Sequence, residues 1–169
     1  MSAEFFEVKN MIYVAVGTQK FQFDRLIKSI DKQVENGIIN EEVIAQIGYC
    51  NYKPVNFEYK DFLTKEEFDE NIKRCDLLIT HSGVGTIISG LKYKKPIIVM
   101  PRLEKYGEHV DNHQTQIANS FAEMNLLLDC ENEKELSNLI IEARIHSFEE
   151  YVSHRKKMIY TIKEYIEKI

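Results

Sequence analysis

The stretch from Cys75 to Pro101, CDLLITHSGVGTIISGLKYKKPIIVMP, constrains the fold of this chain more than any other. An apolar run, Leu77-Leu78-Ile79, stops at Thr80-His81. Ser82-Gly83-Val84-Gly85-Thr86 follows, then a segment of helical character, then a second apolar run from Ile97 to Met100 that ends at Pro101. Strand, glycine turn, helix and strand make one βαβ unit, whose natural geometry is parallel and right-handed. Gly83 and Gly85 let the backbone turn tightly and come close to a ligand. Ser82 and Thr86 add hydroxyls beside the free N–H groups of the new helix, and such a terminus attracts phosphate. The unit therefore points to a phosphorylated small molecule held at the carboxyl end of a parallel sheet. It is neither GxGxxG nor the lysine-bearing P-loop, so it supports neither a dinucleotide site nor an ATPase.

The same alternation runs along the whole chain. Met11 to Val16 reads as a buried strand ended by Gly17-Thr18. Phe23, Leu26, Ile27 and Ile30 then fall at helical spacing up to about Val34. Val43 to Ile47 and Asn56 to Tyr59 are strands. Thr64 with Glu67 three residues on is a capping box, opening a helix through Arg74. A helix is expected from His109 to Glu123, a strand at Leu126 to Leu128, and helices at Glu133 to Arg144 and Phe148 to Lys168. Strands alternating with helices predict an α/β fold, a Rossmann-like parallel sheet with helices on both faces. Residues 1–169 read as a single domain, with 1–10 a loose extension and 148–168 a C-terminal amphipathic helix. That helix carries an apolar stripe through Tyr151, Val152, Met158, Ile162 and Ile166, long enough to meet another subunit as well as its own sheet.

Composition excludes several classes of function. The net charge of −5 argues against nucleic acid as a partner, because phosphate backbones are bound through clustered Lys and Arg. The cysteines, Cys50, Cys75 and Cys130, are odd in number and widely spaced, which suits a reducing compartment rather than a disulfide framework. The acidic start MSAEFFEVKN lacks a signal pattern, and no apolar run approaches the roughly 18 residues of a membrane span. A cytoplasmic protein is expected, with any membrane contact peripheral or through a partner.

Three loops gather at the carboxyl edge of such a sheet: Gly17-Thr18, His81 to Thr86, and PRLEKYGEHVDNHQ, residues Pro101 to Gln114. The last is rich in hydrogen-bonding groups (Glu108, His109, Asp111, Asn112, His113 and Gln114) and suits the reading of a sugar's hydroxyls. His109 and His113 are four apart, but no glutamate follows His109, so the HExxH zinc pattern is absent and no metal is expected. His113 is a candidate general base by residue type, although nothing in the sequence sets it against a nucleophile. Ser82 lies in Thr-His-Ser-Gly-Val, not a GxSxG elbow, which disfavours a hydrolase.

Taken in order, Gly17-Thr18, Gln46-Ile47-Gly48, Phe62-Leu63, DLLITHSGVGT (Asp76 to Thr86), KPIIVMPR (Lys95 to Arg102) and DNHQ (Asp111 to Gln114) resemble a known family. They are similar to the C-terminal, sugar-nucleotide-binding half of GT-B glycosyltransferases of family 28 type. Within it they look most like stand-alone catalytic subunits of two-component transferases, related to the eukaryotic two-subunit UDP-N-acetylglucosamine transferase. PRLEKYGEHVDNHQ resembles the subunits of bacterial capsule and exopolysaccharide synthesis in particular. The resemblance implies half of a GT-B fold that binds a UDP-sugar. Gly17, Thr18, His81, Ser82, Gly83, Gly85 and Thr86 would line the diphosphate, the backbone near Phe62 and Leu63 would meet the uracil, and Glu108, Asp111, Asn112, His113 and Gln114 would face the donor sugar. Ser89 stands where many relatives carry a ribose-binding glutamate, and offers one hydroxyl in place of a carboxylate clamp.

The resemblance further implies inverting transfer without an obligatory metal or other cofactor. It also implies a membrane-associated, acceptor-binding partner subunit that brings a lipid-linked saccharide and holds this chain at the inner face of the membrane. Galactosyl transfer is the expectation. Alternatives are N-acetylglucosaminyl, glucuronosyl or glucosyl transfer, a non-catalytic nucleotide-sugar-binding regulatory subunit and, more remotely, a phosphosugar epimerase. Thr86→Val combined with Gly83→Ala is expected to weaken UDP binding and leave the fold largely intact.

Overall fold

A computed structural model describes residues 10–154. Its centre is a six-stranded, all-parallel sheet built from β1 (Met11–Ala15), β2 (Glu42–Gln46), β3 (Glu58–Lys60), β4 (Leu77–Thr80), β5 (Ile97–Val99) and β6 (Leu128–Asp129). The strand order is β3-β2-β1-β4-β5-β6, so the chain winds outward from β1 in one direction, then from β4 in the other. Register is continuous through the middle, with Tyr13 beside Ile44 on one side and Leu78 on the other.

Strand periodicity divides the core into two layers. Ile12, Val14 and Val16 face one side, where α1 (Asp24–Glu35) and α5 (Leu136–Ile145) bring Phe23, Leu26, Ile27, Ile30, Leu136 and Ile140. Met11, Tyr13 and Ala15 face the other, against α2 (Lys65–Arg74), α3 (Val84–Lys92) and α4 (His113–Glu123). Burial on both faces explains why the central strands read as continuous apolar runs. Gly90 shows how closely a helix lies on the sheet, since a Cβ there would stand 2.7 Å from Leu78 and 2.8 Å from Ile97. The Thr64–Glu67 capping box is present in both directions. The expected architecture, a Rossmann-like parallel sheet covered on both faces, is the one found.

The differences lie at element ends and have local causes. α4 starts at His113 rather than His109, because Glu108 is buried against Arg25 and holds the preceding loop down. The helix expected from Phe148 is absent over 148–153. Glu149 N–H donates to the carbonyl of Asn125 at 2.9 Å and Tyr151 packs on the second core, so this segment is tied down instead of coiling. The remainder of that helix, with most of its stripe, and the extension expected over 1–9 lie outside the described residues.

Candidate functional site

The direction of winding reverses between β1 and β4, and their carboxyl ends open into one cleft of about 740 Å³. A gap at such a reversal is where open α/β sheets accept ligands. One wall is Gly17-Thr18 after β1; the floor is the turn from His81 to Gly83 after β4, with Val84, Gly85, Thr86 and Ser89 on α3. Leu63, Lys65 and Asp69 come from the α2 side, and His113, Gln114 and Ile117 from α4.

Residue chemistry in the floor favours an anion. Gly83 is the N-cap of α3 and provides no side-chain cap, and no acidic residue stands in the first turn. The N–H groups of that turn therefore meet the cleft without a competing carboxylate, at the positive end of the helix dipole. Ser82 is 1% exposed, yet its Oγ has no partner among the described residues. A buried hydroxyl without a partner costs free energy unless something else bonds it. Ser89 Oγ donates to the carbonyl of Gly85 at 2.9 Å, so its hydrogen is committed within the helix and only acceptor capacity is left for a ligand.

His81 sits under both glycine turns. A Cβ on Gly83 would stand 2.2 Å from its Nε2, and one on Gly17, whose φ is +81°, would stand 2.7 Å from the same ring. These positions must be glycine for packing reasons. Gly85 differs, because a Cβ there would meet nothing within 4 Å. Gly83→Ala therefore strikes the fold as well as the site, contrary to the sequence expectation. His81 Nδ1 lies 3.3 Å from the carbonyl of Ala15 and 3.2 Å from Thr80 Oγ1. Burial, reinforced by the positive Arg102, pushes its pKa down to about 4, so the ring is neutral at physiological pH.

Two residues missed as site residues tie the loops together. Arg102 is 1% exposed and donates to the carbonyls of Val16, Phe21, Gln22 and Glu108. It locks the loop after β1 to the loop after β5. Gln46 Oε1 accepts the Leu63 N–H at 3.2 Å and draws the β3–α2 connection toward the sheet. Both stand inside motifs visible in the sequence; a lone arginine directly after a buried strand was the available signal for Arg102. Gln114 acts similarly. Its Oε1 accepts from the N–H groups of Ser82 and Arg102, at 3.3 and 3.1 Å, while its amide nitrogen has no partner among the described residues.

Of the residues expected around a donor, Gly17, Thr18, Leu63, His81, Ser82, Gly83, Gly85, Thr86, His113 and Gln114 come together in the cleft. Phe62, Glu108, Asp111 and Asn112 do not line it. Phe62 packs edge-on against Tyr49 at 5.2 Å. Glu108 is fully buried, bonded to Arg25 at 2.9 Å and to the Leu103 N–H at 2.9 Å. Asn112 Oδ1 accepts from the Glu104 N–H. Asp111 bonds the backbone N–H and the ring of His113, and both contacts hold its carboxyl below the usual range.

Residues 11–168 match the model of the glycosyltransferase family 28 C-terminal domain. The chain belongs to this family. Among its relatives is a UDP-N-acetylglucosamine transferase subunit, ALG13, of Candida albicans, 34% identical over 121 residues that make up 70% of this chain and 40% of the relative. Another is the UDP-N-acetylglucosamine–N-acetylmuramyl-(pentapeptide) pyrophosphoryl-undecaprenol N-acetylglucosamine transferase of Prochlorococcus marinus, 28% identical over 75% of this chain and 34% of that protein. The chain thus spans less than half the length of these relatives. Among solved structures, the glycotransferase of kitacinnamycin superposes with a TM-score of 0.63 at 18% identity, covering 82% of this chain and 35% of that one. The solution structure of ALG13 superposes at 0.55 and 22% identity, covering 88% and 92%. These likenesses agree with a GT-B half-domain. No helix among the described residues is long and apolar enough to cross a membrane.

Proposed function

We propose that this chain is the nucleotide-sugar-binding subunit of a UDP-sugar transferase, with UDP-N-acetylglucosamine as donor. The observation that carries the reading is the cleft at the strand reversal, where an uncapped helix start and the unpartnered Ser82 hydroxyl lie side by side. In this reading a diphosphate accepts from the N–H groups of Val84, Gly85 and Thr86 and from the hydroxyls of Ser82 and Thr86. Gly17 and Thr18 face it from β1. The backbone at Leu63 meets the uracil, and His113 with the free amide of Gln114 reads the sugar. As an acceptor hydroxyl attacks the anomeric carbon, charge grows on the leaving UDP, and the α3 terminus stabilises it without rearrangement.

The names of the relatives support N-acetylglucosamine over the galactose expected from the sequence, since both specify UDP-N-acetylglucosamine. UDP-galactose stays as a second reading, carried by the segment PRLEKYGEHVDNHQ. A partner is part of the proposal, because related proteins are named as subunits. We assign acceptor binding and the catalytic base to a second, membrane-associated polypeptide that presents a lipid-linked saccharide at the inner membrane face. Alone, the chain binds donor and does not transfer sugar, since acceleration by proximity needs both reactants held in line.

The test is a transfer assay with membranes containing the partner and a panel of labelled UDP-sugars. Labelling of the lipid fraction from UDP-N-acetylglucosamine, dependent on both polypeptides, is the expected result. Labelling only from UDP-galactose selects the second reading, and labelling from no donor overturns the transferase.

A further inference from the structure

The loop leading into α4 brings together three groups to which no joint chemistry has been given. One ligand atom from each of His109, Asp111 and His113 lies within 4.8 Å of the others. Both imidazole nitrogens face the same carboxylate oxygen, His109 at 3.3 Å and His113 closer still. The two rings stand edge to face with centroids 4.7 Å apart. The sequence spacing suggested two histidines on one helix face, but α4 begins only at His113. The convergence comes instead from the turn, which folds His109 back over the helix start.

We propose that His109, Asp111 and His113 form a binding site for a divalent transition-metal ion of the zinc or cobalt kind. Two imidazole nitrogens and a carboxylate oxygen are a donor set such ions accept. Metal–ligand bonds of about 2.0–2.1 Å place tetrahedral ligand atoms roughly 3.3 Å apart, which is the separation already present between His109 and Asp111. His109 is rigidly placed: it is 8% exposed and its ring stacks on Phe21 at 5.5 Å. Asp111 and His113 are exposed, so an ion reaches the site from solvent and completes its shell with water. On binding, the ion takes the place of the hydrogen bond between His113 and Asp111, and each imidazole carries its proton on Nε2. Calcium and magnesium prefer all-oxygen shells and do not compete.

His113 also lines the donor cleft. A metal that holds it draws it away from the sugar, so the ion opposes donor binding and is not needed for transfer. This consequence, unlike the site itself, rests on the donor reading given above.

The experiment is a Co²⁺ titration of the full chain without an affinity tag, followed by visible absorption, with Zn²⁺ competition by calorimetry. One ion per chain is expected, unaffected by excess Mg²⁺. Asp111→Asn and His113→Ala, both at exposed positions, each weaken binding by about tenfold or more. His146→Gln, at the separate histidine beside Glu142, changes nothing. Absence of binding, or affinity unchanged in both variants, overturns the site. No nucleotide is present in this titration, so its failure is distinct from a failure of the cleft, which is read from UDP binding in chelator. With Zn²⁺ bound, the affinity for UDP-N-acetylglucosamine falls severalfold; an unchanged affinity overturns the antagonism.

Discussion

His81 is the residue on which the floor of the cleft rests, and the glycines around it divide into two kinds. Gly83→Ala drives a methyl into the His81 ring, so urea unfolding should show a loss of about 1–3 kcal/mol. Gly85→Ala puts its methyl into open space inside α3, where alanine is the better helix former. It should leave stability equal or slightly raised while weakening UDP binding measured by calorimetry. Equal effects of the two substitutions on stability would contradict this division. His81 also makes a pH prediction. Its folded pKa of about 4 lies below the ordinary 6.5, so the unfolded chain takes up a proton first as pH falls. Its share of stability is therefore lost between about pH 6.5 and 4, by roughly 2–3 kcal/mol. Asp129, whose pKa burial raises to about 6, works in the opposite sense over the same range. Comparison with His81→Gln isolates the histidine: the gap between wild type and variant in urea unfolding should shrink from pH 7 to pH 5. A constant gap would mean that His81 is not held neutral. At this scale the sequence showed which side chains gather but not their neighbours. The glycine pattern was visible; the seat of His81 under Gly17 was not, because that contact joins the ends of different strands.

At the scale of elements, the loop from Pro101 to Asn112 looked like a row of ligand-reading groups and is partly an internal brace. Glu108 is the clearest case. Its carboxylate neutralises the largely buried Arg25, with side chains 1% and 12% exposed. Glu108→Ala leaves Arg25 without its main counter-charge, at a cost of about 3–5 kcal/mol in denaturant unfolding. The double variant Glu108→Leu with Arg25→Met should recover most of that loss. UDP affinity of the folded Glu108→Ala protein should change by less than about tenfold, since the carboxylate does not line the cleft. A larger loss of affinity than of stability would return Glu108 to the donor site. The capping box of α2 is the opposite case, fully legible because both partners lie within one turn. Thr64→Ala should cost about 1 kcal/mol in unfolding free energy. Local hydrogen bonds are written in neighbouring letters, whereas the Arg25–Glu108 pair joins residues 83 positions apart.

At the scale of the whole molecule, alternating strands and helices sufficed for the parallel sheet, because buried central strands leave continuous apolar runs. They also sufficed for the place of the cleft, since β1 and the βαβ unit around β4 carry the two glycine turns. The non-helical path of residues 148–153 was not legible. An amphipathic stripe there fits a helix, and the bond from Glu149 to Asn125 and the seat of Tyr151 on the core oppose it. The central claim is that the cleft at the β1–β4 reversal holds the diphosphate of a UDP-sugar. A second hollow of about 300 Å³, between β2, β3 and α2, offers Tyr59, Lys60 and Arg74 as a rival seat. Backbone amide NMR of the isolated chain titrated with UDP separates them directly. The account predicts that the amides of Ser82 through Thr86 shift most, with Thr18 and Gln114 next. The largest shifts at Tyr59, Lys60 and Asn71, or no shifts at all, would contradict it.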